Sequence, residues 1–363
     1  MSYIIPTLPL QCELETKAIL KQTIAANRKL AELKGIVNII PNPSILIRTL
    51  SLQEAKDSSA IESIITTHDE LYKAEVGIVN FSSAAAKEVS TYADALMNVV
   101  SIVKQRNIIT ENNIQEIYHV IKHNDGGYIA SPSKVLVNEQ TEEIIYTPPQ
   151  SIDEIQRHMS NLALFINDDS LCELDPLIKM AIIHHQFESI HPFGDGNGRA
   201  GRVLNILYLV VKGLLDMPIL YLSRYIIQHK GEYYRLLQAV RDEGVWEDWI
   251  LFMLNGIEKT AEATINFVKD IAAMMMQYKH HIRESMPKIY SQDLINHLFR
   301  HPYTKIEYLV NDMNVSRPTA TSYLDRLIEA GYLSKIKTGK GNLYINNRLY
   351  NLIINAFHAN EGA

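Results

Sequence analysis

The chain has 363 residues, with 35 Lys+Arg against 41 Asp+Glu and a formal net charge of −6. Hydrophobic residues make up 47% and charged residues 21%, which excludes a disordered or collagen-like chain. The negative sign excludes a protein that coats nucleic acid along its whole length, and the length points to two or three domains.

Helical periodicity dominates. Residues 17–33 read as an amphipathic helix ended by Gly35, and 39–44 as a loop broken by two prolines. A helix is expected from about 51 to 65, with Ser51 as N-cap and Glu54 in the capping-box position. Helices follow at 84–104 and 111–122. The pattern changes at Gly126: 135–137 and 144–146 are short β-like runs joined by polar residues, a hairpin signal that Pro148 and Pro149 stop. Helices return at 152–166 and 176–187.

The segment 191–198, HPFGDGNG, cannot continue a helix, because it holds three glycines and a proline. Further helices are expected at 199–213, 221–240 and 246–276. The most apolar stretch, 203–222, contains Asn205, Lys212, Asp216 and Pro218 and reads as a buried helix rather than a bilayer span. Near the end, helices at 292–299, 305–313 and 316–330, the last capped by Ser316 and stopped by Gly331, precede β-like runs at 332–337 and 342–345. Three helices and a hairpin are the order of a winged helix-turn-helix. The expected fold is mainly α, with a small β-hairpin, in three parts: 1–110, 111–280 and 285–363.

Two cysteines, Cys12 and Cys172, make neither a disulfide scaffold nor a four-thiolate zinc site. The first basic residue, Lys17, follows Glu13 and Glu15, so no secretory leader is expected. Both point to the cytoplasm.

The chemistry concentrates in HPFGDGNGRAGR, His191 to Arg202. Gly196, Asn197 and Gly198 form a small-residue loop that opens into a helix, where backbone N–H groups and the helix dipole favour an anion, phosphate above all. Arg199 and Arg202 are three apart and can fork onto phosphate oxygens. Asp195 is a carboxylate suited to magnesium beside a polyphosphate. His191 is an imidazole suited to taking a proton from a hydroxyl. These parts describe transfer of a phosphate-containing group to an alcohol. A rival arrangement is a zinc or iron site from His184, His185, Glu188 and His191, three or four apart. It lacks the HExxH spacing and leaves both arginines unexplained.

The twelve residues resemble the Fic family motif HxFx(D/E)GNGRxxR at every specified position. YTPP at 146–149 and the EYY…W pattern of Glu232, Tyr233, Tyr234 and Trp249 also look like Fic proteins, and the resemblance covers roughly residues 1–280. It implies a Fic helical core over 111–280 after an N-terminal helical extension. The activity it implies is protein adenylylation: AMP moves from ATP to a Ser, Thr or Tyr hydroxyl. By position, His191 is the general base, Phe193 anchors the loop, and Asp195 binds Mg2+. Gly196, Asn197, Gly198, Ala200 and Gly201 surround the phosphates that Arg199 and Arg202 hold. Tyr233 and Tyr234 are candidates for the adenine pocket. The hairpin resembles the flap that pairs with a target peptide, although Thr141-Glu142 stands where Thr-Gly is frequent. Doc-type kinases carry a lysine where this chain has Gly198, so AMP transfer is favoured over phosphate transfer, and phosphocholine transfer stays open.

SSAIES, 58–63, resembles the family's inhibitory motif (S/T)xxxE(G/N) at Ser58 and Glu62, with Ser63 departing at the last position. The resemblance implies that Glu62 pairs with Arg202 and takes the partner the γ-phosphate needs, and that the same glutamate can support removal of AMP. Family members often dimerise. Residues 289–350 carry eight Lys/Arg against five acids within a chain of net −6. Arg317, Thr319, Thr321 and Ser322, with Lys337 and Lys340 on the wing, are candidates for DNA contact, and the second functional reading is a nucleotide-sensing transcription regulator.

Overall fold

The computed structural model describes residues 3–40, 42–75, 83–122, 126–130, 135–137, 144–338 and 341–358. The N-terminal part is helical: α1 (Lys17–Ile36), α2 (Ser44–Ile61), α3 (His68–Glu75) and α4 (Ala84–Arg106). Thr16 starts α1 by accepting the Ile19 N–H at 3.3 Å, and Ser83 starts α4 by accepting that of Ala86 at 3.0 Å. Next come α5 (Glu111–Lys122) and the antiparallel pair β1 (Leu136–Val137) and β2 (Ile144–Tyr146). The expected hairpin turn, with Thr141 and Glu142, lies outside the described residues, as does Lys340. The central part continues as α6 (Ile152–Asn167), α7 (Pro176–Ile190), α8 (Asn197–Val211), α9 (Ser223–Gln228), α10 (Lys230–Glu243) and α11 (Trp246–Ser285).

Helix α7 is the centre of the molecule. It is buried on every side from Leu177 to Ile190, polar residues such as His184, His185 and Glu188 included. Helices α6, α8 and α11 pack on it, and α1 lies along α11. The indole of Trp249 ties α11 to α7 by donating to the Ala181 carbonyl at 2.8 Å. Among the described residues no helix is long and apolar enough to cross a membrane.

The C-terminal part comprises α12 (Gln292–Arg300), β3 (Tyr303–Thr304), α13 (Ile306–Met313), α14 (Arg317–Glu329), β4 (Ser334–Thr338), β5 (Gly341–Ile345) and α15 (Asn347–His358). Its sheet is antiparallel in the order β3-β5-β4. Helices α12, α13 and α14 with the small sheet are consistent with the winged-helix expectation, and α15 follows them.

Three expectations change. Ser51 is not an N-cap: α2 already begins at Ser44, and the buried Ser51 hydroxyl lies 3.1 Å from Tyr221 Oη. Burial of Ile45, Leu46 and Leu50 recruits the preceding turn and outweighs the local capping signal. The helix expected over 221–240 is two, α9 and α10, meeting at His229 with φ −120° and ψ 33°. Helix α11 runs 40 residues, about 60 Å at 1.5 Å per residue, and its Tyr278 donates to Asn346 Oδ1 at 2.9 Å. One rigid rod therefore carries the C-terminal part. Helices α3 and α15 and strand β3 were not expected, being short or weakly patterned.

Candidate active site

The loop between α7 and α8 is built by its own residues. His191 ends α7 in the left-handed region, φ 49° and ψ 55°, with its N–H on the Phe187 carbonyl at 2.9 Å. The Pro192 carbonyl accepts the Ile129 N–H at 2.9 Å. Phe193 is buried and stacks on Tyr118, centroids 4.0 Å apart and planes 3° apart. Asn197 clamps the turn with both ends of its amide: Nδ2 donates to the Phe193 carbonyl and Oδ1 accepts the Phe193 N–H, each at 2.9 Å. Gly196 stands at the α8 N-cap with φ 76°, a conformation that disfavours a Cβ. The first turn of α8 thus opens onto the loop with its N–H groups.

Arg199 and Arg202 project from that turn and are 0% and 3% exposed. Glu62 bridges them: its Oε2 accepts from Arg199 Nε at 2.7 Å and its Oε1 from Arg202 Nη2 at 3.0 Å. Ser58 adds its hydroxyl to Arg202 Nε at 2.7 Å and its carbonyl to Nη2 at 2.8 Å. Ser58 and Glu62 therefore both contact Arg202, and Arg199 shares the glutamate. Gly198 lies beneath: a Cβ there would stand 2.7 Å from Glu62 Oε1 and 2.9 Å from Arg202 Nη1. Ser63, where the motif has Gly or Asn, takes φ 63°, a region those two residues enter more easily. Ala200 and Gly201 are buried in the same turn.

Sequence reasoning missed two charged partners, Glu88 on α4 and Lys122 on α5. Glu88 accepts from Arg199 Nη1, and Lys122 Nζ lies 2.6 Å from Asp195 Oδ2 and 3.6 Å from Glu88 Oε1. No local pattern could reveal them, because 111 residues separate Glu88 from Arg199 and 73 separate Lys122 from Asp195. Partial burial pushes the Asp195 pKa up, but the Lys122 hydrogen bond and charge, with the Gly196 N–H, outweigh it and hold the carboxyl below its ordinary range. A single ionised carboxylate with an exposed side chain fits the way magnesium is shared with phosphate oxygens.

The rival metal cluster does not assemble. His184 spends both ring nitrogens inside the core, Nε2 on Tyr233 Oη at 2.8 Å and Nδ1 on Asn205 Nδ2 at 3.0 Å. Burial, then the Arg202 charge, push its pKa down to about 3, and His185 is likewise pushed well down by burial. Among the described residues no group of three His, Cys, Asp or Glu side chains could hold a metal. Of the two adenine candidates, Tyr233 is buried against His184 and Tyr234 is exposed, and their rings meet edge to face with centroids 5.2 Å apart.

Behind Ser58 lies a buried polar chain. Tyr92 Oη donates to Ser58 Oγ at 3.2 Å, and Glu54 accepts from the Ser223 hydroxyl and from its N–H at 3.3 Å. Burial raises the Glu54 pKa from 4.5 to about 7. A carboxyl raised in the folded state stabilises fully below pH 4.5 and loses that contribution as pH rises through 7. Glu54→Gln keeps an acceptor for Ser223 and removes the charge. It is expected to be more stable than the wild type at pH 8, by up to about 3 kcal/mol, and equal to it near pH 4.5. Urea titrations at both pH values check this; a pH-independent difference counts against it.

Comparison with known proteins gives three successive matches: the family described as Fic/DOC family N-terminal over residues 20–101, Fic/DOC family over 108–209, and the C-terminal domain described as protein adenylyltransferase SoFic-like over 274–349. Among curated proteins, the chain is 31% identical over 91 residues to "Protein adenylyltransferase fic-1" of Caenorhabditis elegans, covering 25% of this chain and 17% of that one. It is 29% identical over 175 residues to "Protein adenylyltransferase Fic" of Aedes aegypti, covering 47% and 32%. The matched stretches thus span less than a third of either relative. A crystal structure of a Fic family protein from Desulfovibrio desulfuricans G20 shares the fold, with 19% identity, a TM-score of 0.58 and coverage of 94% and 98%. A fragment of Fic-1 from C. elegans does so with 20% identity, a TM-score of 0.53 and coverage of 69% and 74%. With the loop motif intact and Fic/DOC matches over residues 20–101 and 108–209, the chain belongs to the Fic/DOC family and carries a SoFic-like C-terminal domain over 274–349.

Proposed function

We propose that this protein transfers AMP from ATP to a Ser, Thr or Tyr hydroxyl of a protein, itself included, and that Glu62 holds the site shut. The observation that carries the reading is the occupied anion site: a glycine turn at a helix mouth, two buried guanidiniums, and a glutamate standing where phosphate would go. The names of the matched relatives support it.

In the proposed step His191 takes the proton from the target hydroxyl. The hydroxyl oxygen bonds to the α-phosphorus, the bond from that phosphorus to the bridging oxygen breaks, and pyrophosphate leaves with the electron pair. Arg199 and Arg202 hold the β- and γ-phosphates as charge moves onto the leaving group. Asp195, freed from Lys122, would hold Mg2+, which supplies further neutralisation of the phosphates. Phe193 and Asn197 keep the loop's geometry. The β1–β2 pair would align the target chain by main-chain hydrogen bonds.

With Glu62 on both arginines, a triphosphate can enter only with its α-phosphate misplaced. The same carboxylate, beside a modified target, could orient a water for AMP removal. The reading carries a cytoplasmic setting and self-association into dimers. The alternative, a nucleotide sensor that binds DNA through the C-terminal domain, leaves His191 without a task. Incubation with Mg2+ and ATP labelled at either the α or the γ position tests the reaction. Label on protein from the α position alone is expected; label from γ alone means kinase chemistry and overturns it.

A further inference from the structure

The C-terminal domain has no role in the chemistry above, yet it grips the segment that carries Glu62. Tyr303 of β3 donates to Asp69 Oδ1 of α3 at 2.7 Å. The rings of Tyr303 and the buried Tyr72 stack, centroids 5.8 Å apart and 16° between planes, and Tyr350 of α15 packs edge-on against both, at 6.4 Å from Tyr72 and 5.7 Å from Tyr303. His301 Nδ1 lies 3.8 Å from Glu75 Oε2, and burial, then the Arg48 charge, push its pKa down to about 4, so it packs as a neutral ring.

Helix α3 is in turn fastened to α2. Arg48 Nε donates to Glu75 Oε2 at 2.8 Å, Arg48 Nη2 also reaches Glu75 Oε1, and His68 Nε2 lies 2.5 Å from Gln53 Oε1. Helix α12 packs directly on α2. Glu62 is the residue at the C-terminal end of α2. The other side of the grip is fixed, because α11 joins the C-terminal domain to the core as one continuous helix. The contacts therefore run from a rigid arm, through an aromatic stack and α3, to the glutamate on the two arginines.

We propose that the C-terminal domain is a lock on the inhibitory segment: docked on α3, it keeps α2 seated and Glu62 on Arg199 and Arg202. The activity consequence rests on the reading of Glu62 given above; the mechanical coupling does not. A protein held this way has two states, and weakening the dock shifts the balance toward the one with Glu62 withdrawn.

The test uses the full chain with Tyr303→Ala, which removes the ring and the hydroxyl, and Asp69→Ala, a half-exposed position that keeps the proposal testable should loss of the buried ring unfold the domain. In either variant, amide exchange in 53–62 is expected to be faster than in wild type, and AMP incorporation to rise about five-fold for Tyr303→Ala and less for Asp69→Ala. Adding either change to Glu62→Gly should raise incorporation no further. Unchanged exchange in 53–62 in a folded variant overturns the lock. Faster exchange with Glu62→Gly no more active than wild type instead removes the inhibitory reading and leaves the coupling intact. Faster exchange with wild-type incorporation, while Glu62→Gly is activated, overturns the regulatory role.

Discussion

Replacing His191 with Ala is expected to lower AMP incorporation about 10³-fold, the range of a lost general base. The position is also strained for a general residue, since His191 sits at φ 49° where Asn and Gly are the tolerated types. His191→Asn is therefore the better matched control: it removes the base and tolerates the backbone. Both variants are best measured in the Glu62→Gly background, where signal is high, with incorporated α-label as readout. Activity within tenfold of the parent in both would show that the imidazole is not the base. Equal melting temperatures of His191→Asn and the parent would separate chemistry from folding.

Glu62→Gly is expected to raise self-modification about 30-fold, because two guanidiniums lose a shared carboxylate and become available to phosphate. The same change has a structural consequence of opposite sign. Arg202 keeps only Ser58 and Arg199 keeps Glu88, so a buried positive charge is less well neutralised. Glu62 is partly exposed, so screening reduces the loss; about 2 kcal/mol is reasonable. The variant should therefore melt lower than wild type without nucleotide and recover more on adding Mg–ATP, since a ligand that binds only the folded state stabilises by mass action. Radiolabel incorporation and thermal melts with and without ATP read both effects. Equal incorporation by Glu62→Gly and wild type, with equal response to ATP, would remove the inhibitory role.

The phosphate loop was legible in the sequence because its determinants are contiguous. Gly196 reaches its left-handed conformation, Asn197 bridges the turn and Phe193 fills the core within a dozen positions, so short-range stereochemistry encodes the shape. Glu62 was legible only through the resemblance of a short motif, since a glutamate at a helix end has no distinguishing local physics. Ser51 misled, because a cap signal of about 1 kcal/mol cannot compete with burying an apolar turn.

The sequence by itself determined a helical protein with a turn of small residues at a helix mouth, two arginines beside it and an imidazole before it. The tertiary structure alone decided what those arginines touch. It brings Glu62 across 137 residues to Arg199, sets Glu88 and Lys122 around the loop, and seats Tyr303 on Asp69 across 234 residues. Such pairings depend on how α2, α4 and α5 pack over α8, and how α3 packs on α4 and against the C-terminal domain. A charged side chain on a helix surface has many possible partners, and only the packing of the apolar faces selects one.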